Sequence, residues 1–234
     1  MSCSSLDPQV RAGRPGELAV SVGMGDGKVD FKRELACYRA VRDVPLMVTV
    51  PDLQFLMIDG HGDPNTAAFA EATGTLYPVA YTLKFTSKTV LGRDHVVMPL
   101  EGLWWAEDMQ TFTEARDKSR WDWTLMIMVP DWITPELFTG ALAKVAAKGR
   151  GPARLDDLRL ETLSEGLCVQ ALHVGSFDDE AGLLHRMHHE VIPGQGLTMT
   201  GKHHEIYLSD PRRVEPAKLR TILRQPVAPA PSAP

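Results

Sequence analysis

The sequence is short of the residues that staple, anchor or charge a chain in one direction. Only three cysteines occur among 234 residues, Cys3, Cys37 and Cys168. They are odd in number and far apart, with no CxxC spacing, which argues against a disulfide framework and against a cysteine zinc site. So few thiols fit a reducing compartment, and a cytoplasmic location is the expectation. No run reaches the roughly 18 consecutive apolar residues of a membrane span. The opening MSCSSLDPQVRAGRPGELAV has no apolar stretch of signal-peptide length. A basic excess is missing too. The formal net charge is -5, and Arg212 and Arg213 are flanked by Asp210 and Glu215. A nucleic-acid binder would carry a basic stripe, so neither a nucleic acid nor a membrane is expected as partner.

Several catalytic signatures are also wanting. No GxSxG occurs, so a nucleophile elbow is not read. GMGDG and GHGD do not follow a strand and open a helix, as a phosphate cradle requires. The run HRMHHE, residues 185 to 190, places its glutamate after the histidines, whereas a zinc helix of the HExxH kind needs it between them. His203 and His204 are adjacent on a strand candidate and must point opposite ways. Neither a metal nor a cofactor is expected, and HRMHHE reads as a solvated polar helix face.

What is present suits a globular fold: 44% of residues are hydrophobic and 24% charged. That supports one large domain or two small ones around a shared sheet. Residues 1–27, rich in Ser, Gly, Pro and Asp, read as a mobile arm, and APAPSAP, residues 228–234, as a tail without core-forming residues. Between them, residues 28–227 carry one order of elements twice, over about 28–133 and 134–227. In the first half LQFLMID is a strand candidate, Asn65 an N-cap, and TAAFAEATGTLYPVAYTLKFTSK a helix that Pro78 should kink or restart. HVVMPLEGLWWAE and WDWTLMIMV follow as strands. In the second half Thr134, Pro135 and Gly149 bracket a helix with N-cap, first-turn and end signals. LRLETL and LCVQALHVG are strands joined by the turn SEG, Ser176 and Asp179 open the helix EAGLLHRMHHEVI, KHHEIYLSD is a strand, and PAKLRTIL is a short helix. Strand, helix, strand, strand in each half predicts an α+β fold rather than a doubly wound sheet.

Period-two alternation marks the chemically interesting side chains. In KHHEIYLSD, Ile206 and Leu208 share one face and Glu205 and Tyr207 the other, so the acid and the phenol look out of the sheet together. In MPLEGLWWAE, Glu101, Leu103 and Trp105 share a face and Trp104 takes the opposite one. One of the two tryptophans packs in the core, and the other needs a ligand or an interface to cover it. Burial of both between layers is the plainer alternative. Tyr77 and Tyr81, four apart on the first helix, lie on one face. Trp121 and Trp123 share a face with Leu125 and Ile127 and read as core.

HHEIYLSDPRRVEPAKLRTILRQPV resembles the C-terminal signature of GyrI-like proteins. LYPVAYTLKF resembles the tyrosine-bearing helix of that family, and MPLEGLWW with WDWTLMIMVPDWIT the paired strands of a stand-alone subfamily. The resemblance covers most of residues 28–227. It implies a duplicated strand-helix-strand-strand unit with pseudo-twofold symmetry. The helices would pack on one sheet face, with a ligand cleft on the other. It also implies a bulky aromatic or cationic small-molecule ligand, met by a glutamate that Glu205 matches. The DNA-binding module that precedes this domain in drug-sensing regulators has no counterpart in residues 1–27. The stand-alone members most like this sequence hydrolyse cyclopropane-containing DNA-alkylating compounds. By that likeness Glu205, Tyr207 and Glu101 are the candidate catalytic residues, and Tyr77, Tyr81, Trp104, Trp105 and Glu205 the candidate ligand contacts. A non-catalytic sequestering module, or one that senses ligands or binds a protein partner such as a topoisomerase, is the competing class. Oligomeric state is not legible in the sequence.

Overall fold

The computed structural model describes residues 27–107, 117–149 and 151–231. The expected N-terminal arm, apart from its last residue, lies outside them. Among the described residues, nine antiparallel strands form one sheet. They are β1 (Leu46–Val50), β2 (Leu53–His61), β3 (Glu101–Trp105), β4 (Asp122–Val129), β5 (Arg159–Leu163), β6 (Gly166–Val174), β7 (Leu197–Met199), β8 (His203–Tyr207) and β9 (Arg220–Pro229). The order across the sheet is β1-β6-β9-β8-β3-β4-β2-β5, with β7 added beside β9. Reading outward from the β8–β3 seam, β9 and β6 on one side mirror β4 and β2 on the other. The α+β fold is thus organised about that seam. The outermost strands are exchanged between halves. β1, next to β2 in sequence, pairs with β6, and β5, next to β6, pairs with β2. The turn SEG therefore joins two strands that do not pair with each other.

The helices are α1 (Phe31–Glu34), α2 (Ala67–Val90), α3 (Pro135–Ala146), α4 (Ala181–His185) and α5 (Ile192–Gly194), with the π-helical turn Arg186–Val191 between α4 and α5. Thr66, not Asn65, stands at the N-cap position of α2, and its hydroxyl donates back to Asp63 O rather than capping the helix, while Asn65 is bound to Asp63 Oδ1. The helix also runs unbroken through Pro78. Gly74 and Pro78 are both exposed, so the carbonyl that proline leaves unbonded faces solvent, where water can satisfy it. Thr134 caps α3 through Leu137 N–H, as its sequence position predicts.

Two corrections concern the C-terminal region. LRTIL is not helical: after a turn at Pro216–Lys218 the chain becomes β9, paired on both sides with β6 and β8. That pairing satisfies more backbone groups than a short terminal helix could. β9 also continues through Ala228 and Pro229, paired with β7, so the expected tail starts as strand.

Cross-strand partners share a sheet face, so the register sorts the side chains. Trp123, Leu125, Trp104, Glu205, Leu223 and Ala171 lie on one face; Met126, Glu101, His204, Ile206, Arg224 and Gln170 lie on the other. α2 covers the first face through Phe69, which meets Trp104 and Trp123. α4, the π turn and α5 cover the same face further along, where Leu183, Met187 and Ile192 bury Ala171 and Leu223. The opposite face is closed in part by the segment before β1, whose Cys37 and Tyr38 are buried in the main core. Gly60 is required beneath Trp123, since a Cβ there would stand 1.9 Å from the indole.

Candidate functional site

Alternation along HHEIY turns Glu205 and Tyr207 to the sheet face that α2 and the α4–π segment cover, while Ile206 is fully buried on the other. Glu205, Tyr207 and Trp104 therefore lie on the helix-bearing face, between the two helical groups; the expectation set the cleft across the sheet from the helices. Trp104 Nε1 donates to Tyr207 Oη at 3.0 Å, and Tyr207 Oη donates to Glu205 Oε2 at 2.8 Å. Burial first, and then the Glu205 charge, push the Tyr207 hydroxyl well above its usual pKa. It keeps its proton and remains a donor near neutrality.

Aromatic rings wall this relay. Phe177 stands edge-on to Tyr207 at 5.7 Å, Trp121 edge-on to Trp104 at 5.9 Å, and Phe69 stacks on Trp104 at 6.2 Å. Gly102 clears the centre: a Cβ there would lie 2.8 Å from Trp104 Nε1 and 3.1 Å from Tyr207 Oη. The third wall is histidine. His203 Nε2 lies 3.6 Å from Glu205 Oε1, and the His188 ring, carried by the π turn, meets the His203 ring at 5.8 Å. Burial first, then the neighbouring His203 and His189, lower His188 to about 3, so it is uncharged near neutrality.

The sequence-predicted residues divide. Glu205, Tyr207 and Trp104 are brought together. Tyr77, half-buried, sits near Leu100 and the Asp210–Arg212 turn, at the end of β8 that carries Tyr207. Tyr81 touches Tyr77 but turns away into a groove of about 700 Å³ between α2 and α3, lined also by Pro78, Phe85, Lys144 and Lys148. The lining of that groove includes no acid. Trp105 points to the opposite sheet face, where Lys202 Nζ stands 3.1 Å from its ring centre.

Glu101 also points to the opposite face, fully buried, and cannot meet a ligand on the face of Glu205. It accepts from Tyr38 Oη at 2.6 Å and lies 2.9 Å from His204 Nε2. His204 Nδ1 is 3.0 Å from Glu165, which also receives Arg224 at 2.8 Å. Burial alone would discharge His204, but Glu165 and Glu101 outweigh it and raise its pKa; Glu165, raised by burial, is brought down to about 2 by His204 and Arg224. This closed network fixes the strands from behind.

Phe177, Trp121, His188 and His203 join the site although the sequence marks none of them as a ligand contact: Trp121 shares parity with Trp123 and so reads as core, the histidines enter only a metal reading, and Phe177 lies in a turn that has no periodicity. HRMHHE was read as a solvated face; that describes His185 and His189 but not His188, whose Nε2 is buried. No group of His, Cys, Asp and Glu suited to a metal ion occurs among the described residues. Among the same residues no helix is long and apolar enough to cross a membrane.

The family description GyrI-like small molecule binding domain matches residues 45–228. An uncharacterized conserved protein from Listeria innocua is 39% identical, with 86% of this chain and 100% of that one covered and a TM-score of 0.79. Two structures described as hydrolases from the same organism are 36% and 37% identical, again covering 86% of this chain and 100% of theirs, with TM-scores of 0.78 and 0.74. No curated protein matches.

Proposed function

Because the chain belongs to the family of GyrI-like small-molecule-binding domains, we propose that it binds flat aromatic electrophiles beside Glu205 and Tyr207, between α2 and the α4–π segment, and opens them with water. The observation that carries this reading is the relay Trp104–Tyr207–Glu205 inside aromatic walls. A protonated phenol next to a carboxylate is an acid beside a base. The two relatives described as hydrolases support a hydrolytic outcome. The substrate class is a cyclopropane fused to a conjugated dienone, as in DNA-alkylating compounds, and the role is self-protection.

The ligand's flat body packs among Trp104, Trp121 and Phe177, where ring burial supplies most of the affinity. Tyr207 donates its proton to the dienone oxygen as negative charge gathers there. Glu205 takes a proton from the attacking water. The new C–O bond forms as the strained C–C bond breaks, and its electron pair makes the ring an aromatic phenol. Glu205 then returns its proton to Tyr207 through their 2.8 Å hydrogen bond, so the addition consumes one water and leaves both residues as they began.

The test is incubation with a cyclohexadienone carrying a spiro-fused cyclopropane, in large excess over protein, followed by mass spectrometry. Many equivalents of a product heavier by one water are expected, with heavy oxygen incorporated from labelled water. Binding without product, or one equivalent of a covalent adduct, would instead make the protein a sequestering module.

A further inference from the structure

The groove between α2 and α3 takes no part in the chemistry around Glu205. Its volume of about 700 Å³ is that of a small-molecule site. Pro78, Tyr81 and Phe85 follow one another at spacings of three and four along α2 and so form one wall. Tyr81 and Phe85 keep 49% and 57% of their surface exposed. Two large rings one helical turn apart on an open surface make an apolar patch of the kind that a ligand covers. The opposite wall carries charge of one sign. Lys144 on α3 and Lys148 just beyond it both line the groove, and no acid does. Neither ammonium group pairs with an acid among the described residues. Lys144 Nζ lies 3.2 Å from Thr86 Oγ1, a neutral partner that leaves its charge uncompensated. Asp94, the acid that α2 does meet, is taken up by Lys84 and Lys88. Thr82 and Thr89, also in the lining, spend their hydroxyl protons on α2 itself, at Pro78 O and Phe85 O.

We propose that this groove is a second ligand site, separate from Glu205, and that it takes a planar aromatic anion, a carboxylate or a sulfonate. The rings of the ligand lie on Tyr81 and Phe85, and its acid group meets Lys144 and Lys148. Burial of the rings supplies most of the grip, because exposed ion pairs are individually weak and screened by salt. The two ammonium groups set the selection instead. An anion gains two partners there, whereas a cation is repelled by both and finds no carboxylate in the lining to offset that. The face of Glu205 has the reverse preference, since its charge favours a cation. The two sites therefore sort aromatic ligands by the sign of their charge.

The test uses the full chain and two fluorescent probes, 8-anilinonaphthalene-1-sulfonate and N-phenyl-1-naphthylamine, which share a ring system and differ in the sulfonate. Crystal violet, a cation, reports on the face of Glu205. The sulfonate is expected to bind the parent saturably at one site, and more weakly as sodium chloride is added. Replacing both lysines, Lys144→Gln with Lys148→Gln, should weaken it by about ten-fold, the combined scale of two exposed ion pairs. The same variant should bind the uncharged probe within about two-fold of the parent and lose most of the salt dependence for the sulfonate. Phe85→Gln, which keeps a good helix former and removes the ring, should weaken both probes. All three positions face solvent, so melting temperatures should match the parent. These titrations do not depend on the hydrolytic reading, and the double lysine variant should open the spiro-cyclopropyl dienone as the parent does. No saturable binding of the sulfonate by the parent would overturn the inference. Unchanged sulfonate affinity in the double lysine variant would overturn it too, as would displacement of the sulfonate by crystal violet, which would put both dyes in one place.

Discussion

Glu205 is the residue on which the candidate chemistry turns, and its neighbours set out what each substitution should do. Glu205→Gln keeps the shape and a hydrogen-bonding oxygen but removes the charge and the base. Turnover, or cation binding, should weaken by about 1–3 kcal/mol, the scale for losing a charged hydrogen-bond partner. The melting temperature should hold, because the carboxylate is only partly buried. Unchanged kinetics would place the base elsewhere; with Glu101 buried on the opposite face, no second acid of the predicted set could take over. Trp104→Phe separates packing from donation. The stack on Phe69 can persist, while the N–H to Tyr207 is lost. Dye binding should change little and turnover should fall by about 0.5–1.5 kcal/mol, the range for a neutral hydrogen bond. Gly102→Ala tests the space itself. With 2.8 Å to Trp104 Nε1, a methyl group must push the indole or the phenol aside, and steady-state kinetics should show a loss of turnover comparable to that of Trp104→Phe.

At the scale of elements, the four strands β3, β8, β9 and β6 are joined on their far side by buried charge. Arg224 on β9 reaches Glu165 before β6, Gln170 on β6, and the carbonyl of Cys37 in the segment preceding β1. Arg224→Met should destabilise by about 3–5 kcal/mol, because Glu165 would remain buried without its full partnership. The same network predicts a pH profile. Glu165, held at about 2 in the folded chain against a usual 4.5, contributes stability above pH 4.5 that is lost as the pH falls toward 2. His204, raised above its usual 6.5, contributes stability that is complete below 6.5 and is lost as the pH rises through its folded value. Melting temperature should therefore pass through a plateau and fall on both sides. Glu165→Gln should flatten the acid limb relative to the parent; an unchanged acid limb would show that other carboxylates govern it.

The whole molecule places its candidate chemistry on one sheet face and its closed charge network on the other, with the same strands serving both. A ligand that binds only the folded chain beside Glu205 should stabilise all of it. At a hundred times its dissociation constant, crystal violet should add about 2.7 kcal/mol. For a chain of this size that corresponds to a rise in melting temperature of roughly 5–11 °C by thermal-shift measurement. Dye at the same concentration should shift Glu205→Gln less. An equal shift in both would locate binding away from Glu205, with the groove between α2 and α3 as the next site to test.

Much of this architecture is written in local periodicity. The alternation around Glu205 and Tyr207, the opposed directions of Trp104 and Trp105, the caps of α3 and the α+β order of elements are properties of short stretches, and each is legible because side-chain direction repeats every two or 3.6 residues. The partners are not legible that way. β9 looked helical in PAKLRTIL, since local propensity is weak and pairing on both sides overrode it. Glu101 and Glu205 looked equivalent as outward acids, because alternation says that faces differ but not which face is covered. The register Gly102 with Glu205 decided that, bringing together residues about a hundred positions apart. His203 and His204 are the sharpest case. Adjacent and identical in type, one stands beside Glu205 and His188 and the other is locked in the closed network, and only the packing of α4, the π turn and the segment before β1 against the two faces of one strand tells them apart.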